Sequence, residues 1–209
     1  MKPKDLKSPF KWEERHVLLQ DRILFVPNYY SNYKEFTFPS WDDEQIFGNT
    51  NPIHLEYCSG NGQWICDKAL HNPGINWVAV EKRFDRCKKI WSKINNYSLN
   101  NLFIVCGEGL TATQYYFPSN SIESIYVNFP DPWPKDRHAK HRIVNSSFIE
   151  QCYRLLNKKG ELNLVTDDPT YREQMISVTL DSQKFCSEYK PPYFTTENHE
   201  YGESWFCSL

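Results

Sequence analysis

No stretch of these 209 residues reaches the roughly 20 apolar residues that a membrane-crossing helix needs. The opening Met1-Lys2-Pro3-Lys4-Asp5 also lacks the apolar core of a secretory signal. No Cys-x-x-Cys pair occurs among the seven cysteines, which are odd in number and scattered at Cys58, Cys66, Cys87, Cys106, Cys152, Cys186 and Cys207. That removes the main support for a zinc ribbon or a thioredoxin-like motif. It reads instead as reduced thiols serving as small hydrophobes in a cytoplasmic protein. Neither sign of charge dominates: 24 Lys+Arg face 26 Asp+Glu, a formal net charge of −2. The field of the whole molecule therefore does not recruit nucleic acid, and any such binding needs a local basic patch. Internal repeats and low-complexity tracts are absent. A chain of this length supports one domain on an apolar core without metal or disulfide staples.

The aromatic content, by contrast, is high at 16%. Residues 1–50 are rich in aromatics and broken by Pro3, Pro9, Pro27 and Pro39, which reads as an arm packed on the main domain. Within it, Val17–Val26 fits either helix or strand. From residue 51 to 209 short apolar runs alternate with longer amphipathic segments. Strands are expected at Ile53–Tyr57, Trp77–Val80, Leu102–Cys106, Ile122–Phe129 and Leu162–Thr166. The helices expected between and after them include Gly62–His71, Arg83–Asn95, Arg142–Leu156 and Thr170–Leu180. Such alternation predicts an α/β fold with an open, mostly parallel, doubly wound sheet. Two strand-like pieces near the end, Tyr193–Thr196 and Ser204–Cys207, suggest an antiparallel C-terminal edge.

Ligands of open parallel sheets bind beyond the carboxyl ends of the strands. Glu56, Glu81, Glu108, Asp131 and Asp167 each stand at or just after one of the five expected strands. One carboxylate in a loop is most simply a solvated one. Five of five predict an acidic rim, suited to a ligand with hydroxyls and a positive charge and hostile to a polyphosphate. In the first turn, Gly60 and Gly62 permit close backbone approach at a helix start, but the spacing does not complete the Gly-x-Gly-x-x-Gly fingerprint of a nicotinamide enzyme. An adenosine-type ligand without pyrophosphate fits better. After the fourth strand, Pro130-Asp131-Pro132-Trp133-Pro134 fixes one carboxylate in a rigid loop, and Lys135, Arg137, His138, Lys140, His141 and Arg142 follow at once. Beside such a loop, Arg137 and Arg142 are expected to neutralise phosphates of a nucleic acid whose base enters the pocket. The two histidines lack a third ligand at metal-binding spacing, so no metal site is expected.

Over residues 52 to 182 the chain resembles the bacterial tRNA (guanine-N7-)-methyltransferases, a family of class I S-adenosylmethionine-dependent enzymes with a Rossmann-like fold. The most specific piece is Phe129-Pro130-Asp131-Pro132-Trp133-Pro134-Lys135 with Arg137-His138 and Lys140-x-Arg142. Leu55-Glu56, Gly60-x-Gly62, Glu81 and Thr166-Asp167 fall at the family's spacing. The resemblance implies that Glu56, Glu81, Glu108 and Asp131 contact S-adenosylmethionine, and that Lys135 and Asp167 contact tRNA. It also implies that Asp131 is the active-site residue. Tyr57-Cys58 stands where the family has Ile-Gly, which implies either an altered turn or a negative φ at Cys58. Glu108 replaces a usual aspartate. The family's C-terminal substrate motif has only distant counterparts in Thr196-Glu197-Asn198-His199-Glu200 and Tyr201-Gly202-Glu203.

The expected activity is methyl transfer to N7 of a guanine in tRNA by a cytoplasmic monomer or homodimer. N7 carries a free lone pair and no proton, so positioning and electrostatics suffice without a general base. The competing readings are a same-fold methyltransferase acting on another nucleobase atom and a tRNA-binding homologue without catalysis.

Overall fold

The computed structural model describes residues 1–197 and Tyr201. Seven strands form one sheet: β1 (Leu18–Gln20), β2 (Ile23–Val26), β3 (Ile53–Tyr57), β4 (Asn76–Glu81), β5 (Leu102–Gly107), β6 (Ile122–Asn128) and β7 (Leu156–Val165), in the spatial order β1-β2-β5-β4-β3-β6-β7. All neighbouring pairs are parallel except β1 with β2. Helices α1 (Gln63–His71), α2 (Phe84–Tyr97), α3 (Gly109–Tyr115), α4 (Ser146–Leu155) and α5 (Pro169–Asp181) complete the α/β alternation.

Every residue of β3 and β4 is buried, as central parallel strands covered on both faces require. Strand alternation divides the core in two. Leu55, Tyr57, Val78, Val80, Phe103, Val105, Ile125 and Val127 pack with Ala112, Phe148, Ile149 and Cys152 from α3 and α4. Trp77, Ala79 and Ile104 pack on the other face with Trp64 and Ile65 of α1 and Cys87, Ile90 and Ile94 of α2. Four of the described cysteines (Cys66, Cys87, Cys106 and Cys152) are buried as free thiols, and burial pushes Cys66 up to about 12.

Among the described residues the antiparallel edge pair is the N-terminal β1–β2 hairpin, and the expected C-terminal edge is not among them. Val17–Val26, undecided by periodicity, forms a hairpin whose two turn residues both have positive φ, Asp21 at 52° and Arg22 at 63°. Such φ values suit a type I′ turn. Arg22 offsets its strained backbone by donating to the carbonyls of Leu99, Ile46 and Asn100 at 3.2, 3.3 and 2.6 Å. At the other end, Tyr193–Thr196 forms no strand: Pro191 and Pro192 supply no amide donors and Tyr193 has φ 72°. Ser204–Cys207 lies outside the described residues.

Two further boundaries differ from the sequence pattern. The helix expected from Arg142 begins at Ser146, because the Asn145 side chain accepts from Phe148 N at 3.1 Å and caps it there; residues 136–141 form a 3-10 turn. It ends at Leu155, and β7 starts at Leu156 with no loop, its register shifting between the Ile122–Leu156 and Ser124–Glu161 pairs. The aromatics of residues 30–41 pack on α3 and the segment after it. Trp41 lies 5.1 Å from Phe117, Phe36 lies 5.3 Å from Tyr116, and the Tyr116 hydroxyl donates to Tyr33 O at 2.8 Å.

Gly107 joins the N-terminal hairpin to the ligand-binding edge. Its φ is 120°, and a Cβ there would sit 2.0 Å from Val26 O, the acceptor of Glu108 N at 2.8 Å. Gly107→Ala is expected to lower the thermal midpoint by about 5–10 °C, since backbone cannot yield as a flexible side chain can. Gly74→Ala, where a Cβ meets nothing within 4 Å, is the control and should shift it by no more than about 1–2 °C. Thermal denaturation of both variants is the check.

Candidate functional site

The strand order reverses between β3 and β6: from β3 the chain proceeds outward to β4 and β5 on one side, then returns to β6 and β7 on the other. A crevice at that switch point, beyond the carboxyl ends of the strands, is where this architecture accepts ligands. Glu56 and Asn128 span it. Glu56 is 2% exposed, and its Oε1 accepts from Asn128 Nδ2 at 2.7 Å. The amide orientation is set from its other end, because the Tyr201 hydroxyl donates to Asn128 Oδ1. Tyr201 stacks on Trp64 at 5.3 Å, and its carbonyl accepts from Trp64 Nε1 at 2.9 Å. Glu56 Oε2 is buried with no hydrogen-bond partner among the described residues. Burial, only partly offset by the Asn128 donor, pushes the Glu56 carboxyl up to about 7.

The turn after β3 carries positive φ at Cys58 (63°), Gly60 (55°) and Gly62 (69°). Cys58 therefore takes the left-handed backbone a glycine would take, and the negative φ considered from sequence does not occur. At Gly62, the N-cap of α1, a Cβ would come within 2.6 Å of Ile90 Cγ1, so the glycine permits α1 to meet α2. Glu81 pins this turn. Its Oε2 accepts from Gly60 N at 2.8 Å, its Oε1 accepts from Arg83 N at 2.8 Å, and Arg86 stands 3.8 Å away. Glu108, half-buried just past β5, pairs with Lys82 at 3.1 Å.

The proline loop after β6 is held at both ends. Phe129 N donates to Val165 O at 2.9 Å, and Phe129 and Trp133 adopt φ of 45° and 44°, strained values for large side chains. Asp131 is exposed at the rim, its Oδ1 3.3 Å from Trp133 N. His138 and His141 pack against the Trp133 ring at 5.8 and 5.2 Å. Lys135, Arg137 and Asp167 are exposed, with Asp167 immediately before Asp168, the N-cap of α5. The five strand-end acids thus all occur at one edge of the sheet, two of them buried, one half-buried and two open to solvent.

Arg142 departs from its expected role. It is 8% exposed, lies 5.0 Å over the Tyr171 ring, and donates to Pro132 O at 2.7 Å and to Gln174 Oε1. The proline loop offers a partly buried carbonyl, Pro132 O, and this guanidinium donates to it, tying the loop to α5 through Gln174. In sequence it is indistinguishable from its exposed neighbours. The sequence pattern does not place Asn128 in the site, and it marks Tyr201 only as part of a distant counterpart of the C-terminal substrate motif. The alternation of β6 puts Asn128 on the Glu56 face, but Tyr201 is brought there from a distant segment. Separately, a hollow of about 790 Å³, whose lining includes His54 of β3, Glu123 and Tyr126 of β6 and Lys158 of β7, involves none of the strand-end acids.

A family model described as "Putative methyltransferase" matches residues 50–205. A tRNA (guanine-N(7)-)-methyltransferase of Chlamydia trachomatis is 48% identical over 210 residues, covering 100% of this chain and 92% of that protein. One of Staphylococcus aureus is 39% identical over 122 residues, 58% of this chain and 56% of the relative. Among solved structures, a precorrin-6y C5,15-methyltransferase from Geobacter metallireducens superposes with a TM-score of 0.50 at 12% identity over 63% of each chain, a likeness of fold alone.

Two outcomes are expected. Because the Glu56 pKa rises on folding, the folded protein binds more protons than the unfolded one between the ordinary carboxylate range and pH 7, and Glu56 destabilises the ligand-free protein as pH rises through that window. Glu56→Gln is expected to be more stable than wild type by about 3 kcal/mol at pH 8, the gap closing to about 1 kcal/mol or less by pH 5. Denaturant unfolding at both pH values tests this, and a gap independent of pH would contradict it. Arg142→Ala is expected to cost about 2–3 kcal/mol of stability by orphaning Pro132 O and Gln174, whereas Arg137→Ala should cost under about 0.5 kcal/mol.

Proposed function

We infer that this chain, which belongs to the tRNA (guanine-N7-)-methyltransferase family, transfers a methyl group from S-adenosylmethionine to N7 of a guanine in tRNA. The observation that carries the reading is the buried Glu56–Asn128 pair across the switch point, bordered by a proline-fixed loop that presents Asp131 ahead of a run of cations. We assign the chemistry to residues 51–209, with residues 1–50 as an arm packed against them. No described helix is long and apolar enough to cross a membrane. A cytoplasmic enzyme acting on tRNA as a monomer or homodimer, without a metal, is the corresponding proposal.

The residues present fit such a donor. The orphaned Oε2 of Glu56 is a buried acceptor in want of a cationic or N–H partner, and left-handed backbone at Gly60 and Gly62 keeps side chains out of the turn. Glu81 holds that turn through Gly60 N, and its carboxylate oxygens retain lone pairs for ribose hydroxyls. Glu108 adds a further carboxylate at the rim. When bound, S-adenosylmethionine supplies an electrophilic methyl on a sulfonium.

Guanine N7 attacks with its own lone pair, so this chain need not remove a proton. Its task is alignment, for which fixed geometry is worth several kcal/mol. Asp131, on a loop braced through Phe129 and Pro132, accepts hydrogen bonds from the guanine edge and stabilises positive charge as it appears on the purine. Lys135, after the proline loop, and Asp167, beside the α5 N-terminus, position the base, and Arg137 engages a phosphate. Arg142 acts one step back, holding the loop itself. The left-handed Cys58 preserves the turn that a glycine would form, which favours a working donor site over a binding-only homologue.

Asp131→Ala is expected to lower kcat by about a hundredfold or more with an unchanged thermal midpoint. The assay is incubation with undermodified tRNA and labelled donor, followed by nucleoside identification. A product other than 7-methylguanosine would overturn the assignment of atom. Donor affinity should fall as pH drops below 7, by up to about tenfold per unit, because a cationic ligand favours ionised Glu56. Calorimetric titration at pH 6 and 8 reads this directly, and equal affinities would separate Glu56 from the donor.

A further inference from the structure

Basic residues are segregated in this chain. Residues 1–11 and 82–93 hold ten of its 24 Lys and Arg and only two of its 26 Asp and Glu, so they carry +8 while the remainder carries −10. The fold brings the two stretches together. Met1 O accepts from Ser92 Oγ at 2.7 Å and from Asn96 Nδ2 at 3.0 Å, near the end of α2. Leu6 is buried in the cluster that contains Ile90 and Ile94. Phe10 lies 6.2 Å from Phe25, which lies 6.2 Å from Phe84 at the start of α2. The first ten residues therefore run back along α2, with Lys2, Lys4, Lys7 and Lys11 exposed.

On α2 itself Arg86, Lys89 and Lys93 recur at i, i+3 and i+7, one face of the helix, and Lys82 leads into them. The row is continuous with the site: Lys82 pairs with Glu108, Arg86 faces Glu81, and Lys93 donates to Asn61 O at 3.1 Å beside the glycine turn. Among the described residues Lys89, which is exposed, makes no hydrogen bond or ion pair, and Lys2 and Lys4 have no side-chain ion pair. Leu6, Ile90 and Ile94 are turned inward and buried, and the exposed apolar side chains of the two elements, Met1 and Tyr97, stand together at the far end of α2. A surface this rich in cations, several of them outside any ion pair among the described residues, and with no apolar centre suits a phosphate backbone better than a protein partner, whose interface would have an apolar core.

We propose that this ridge, formed by the N-terminal segment and the Arg86–Lys89–Lys93 face of α2, is a second RNA contact that holds the phosphate backbone of the tRNA body while the target base occupies the strand-end rim. The proposal rests on the tRNA reading above, and extends it from the base to the remainder of the molecule. The loop cations Lys135 and Arg137 serve the nucleotides next to the target. The ridge serves phosphates farther away, so it matters only for a substrate large enough to reach it.

The test is the triple variant Lys2→Ala, Lys4→Ala, Lys89→Ala, whose side chains support no other part of the fold. Its Kd for unmodified tRNA at 0.15 M salt is expected to rise roughly tenfold, and the slope of log K against log salt to become shallower by about 2. kcat at saturating tRNA, donor affinity and the thermal midpoint should stay at wild-type values. A short RNA hairpin carrying only the target arm should bind both proteins equally. Unchanged tRNA affinity and salt slope would overturn the proposal. So would loss of poly-glutamate binding with tRNA binding intact, which would assign the ridge to an acidic protein. If wild type binds tRNA through the ridge yet transfers no methyl group, the ridge stands and the proposed activity falls. If wild type methylates tRNA and the triple variant binds it equally well, the reverse holds.

Discussion

A carboxylate sealed from water at the junction of two parallel strands constrains everything around it. Glu56 could be made harmless by a donor on Oε2, yet that oxygen has none among the described residues, while Oε1 accepts from Asn128 across the switch point. Such a group is unfavourable for a ligand-free protein and favourable for one that binds a cation. The neighbouring structure maintains it. Tyr201 orients the Asn128 amide so that its NH2 faces the carboxylate, and Trp64 holds Tyr201 by stacking and a hydrogen bond. Stability is given up at the one position where a positively charged ligand can recover it.

The same logic explains the difference between the two sides of the rim. On the donor side the acids are anchored: Glu81 is fixed by two backbone amides and Glu108 by Lys82. On the acceptor side Asp131, Lys135, Arg137 and Asp167 are exposed, and precision comes from the backbone that carries them. Two left-handed non-glycine residues, three prolines and the Arg142 bond to Pro132 O leave the loop few alternatives. A small donor bound by enclosure and a large RNA approached from solvent call for these two kinds of site.

Much of this is legible in the amino-acid order. Period-2 and period-3.6 patterns place β3 to β6 and α1, α2 and α5 within a few residues, because buried parallel strands and amphipathic helices leave strong signals. The strand-end acids follow from that placement alone. The N-terminal hairpin does not, since its turn is Asp21-Arg22, neither of them a residue that advertises positive φ as glycine does; Arg22 is held there by three carbonyls from distant loops. The expected C-terminal strand at Tyr193 fails because β-rich composition does not compensate for two preceding prolines. Arg142 is illegible for a different reason: in a run of cations, the one that turns inward is chosen by a carbonyl ten residues away.

Charge segregation carries the argument one step further. A net charge of −2 suggests a protein indifferent to polyanions, yet that sum conceals +8 on two stretches separated by some seventy residues in sequence and joined in space by Leu6 and Phe10. The remaining −10 is not idle. It includes the acids of the rim, where an RNA backbone drawn in without direction would meet repulsion. Attraction on α2 and repulsion at the donor pocket together favour an orientation in which phosphates lie outside and only a base, neutral until it is methylated, enters the crevice between β3 and β6.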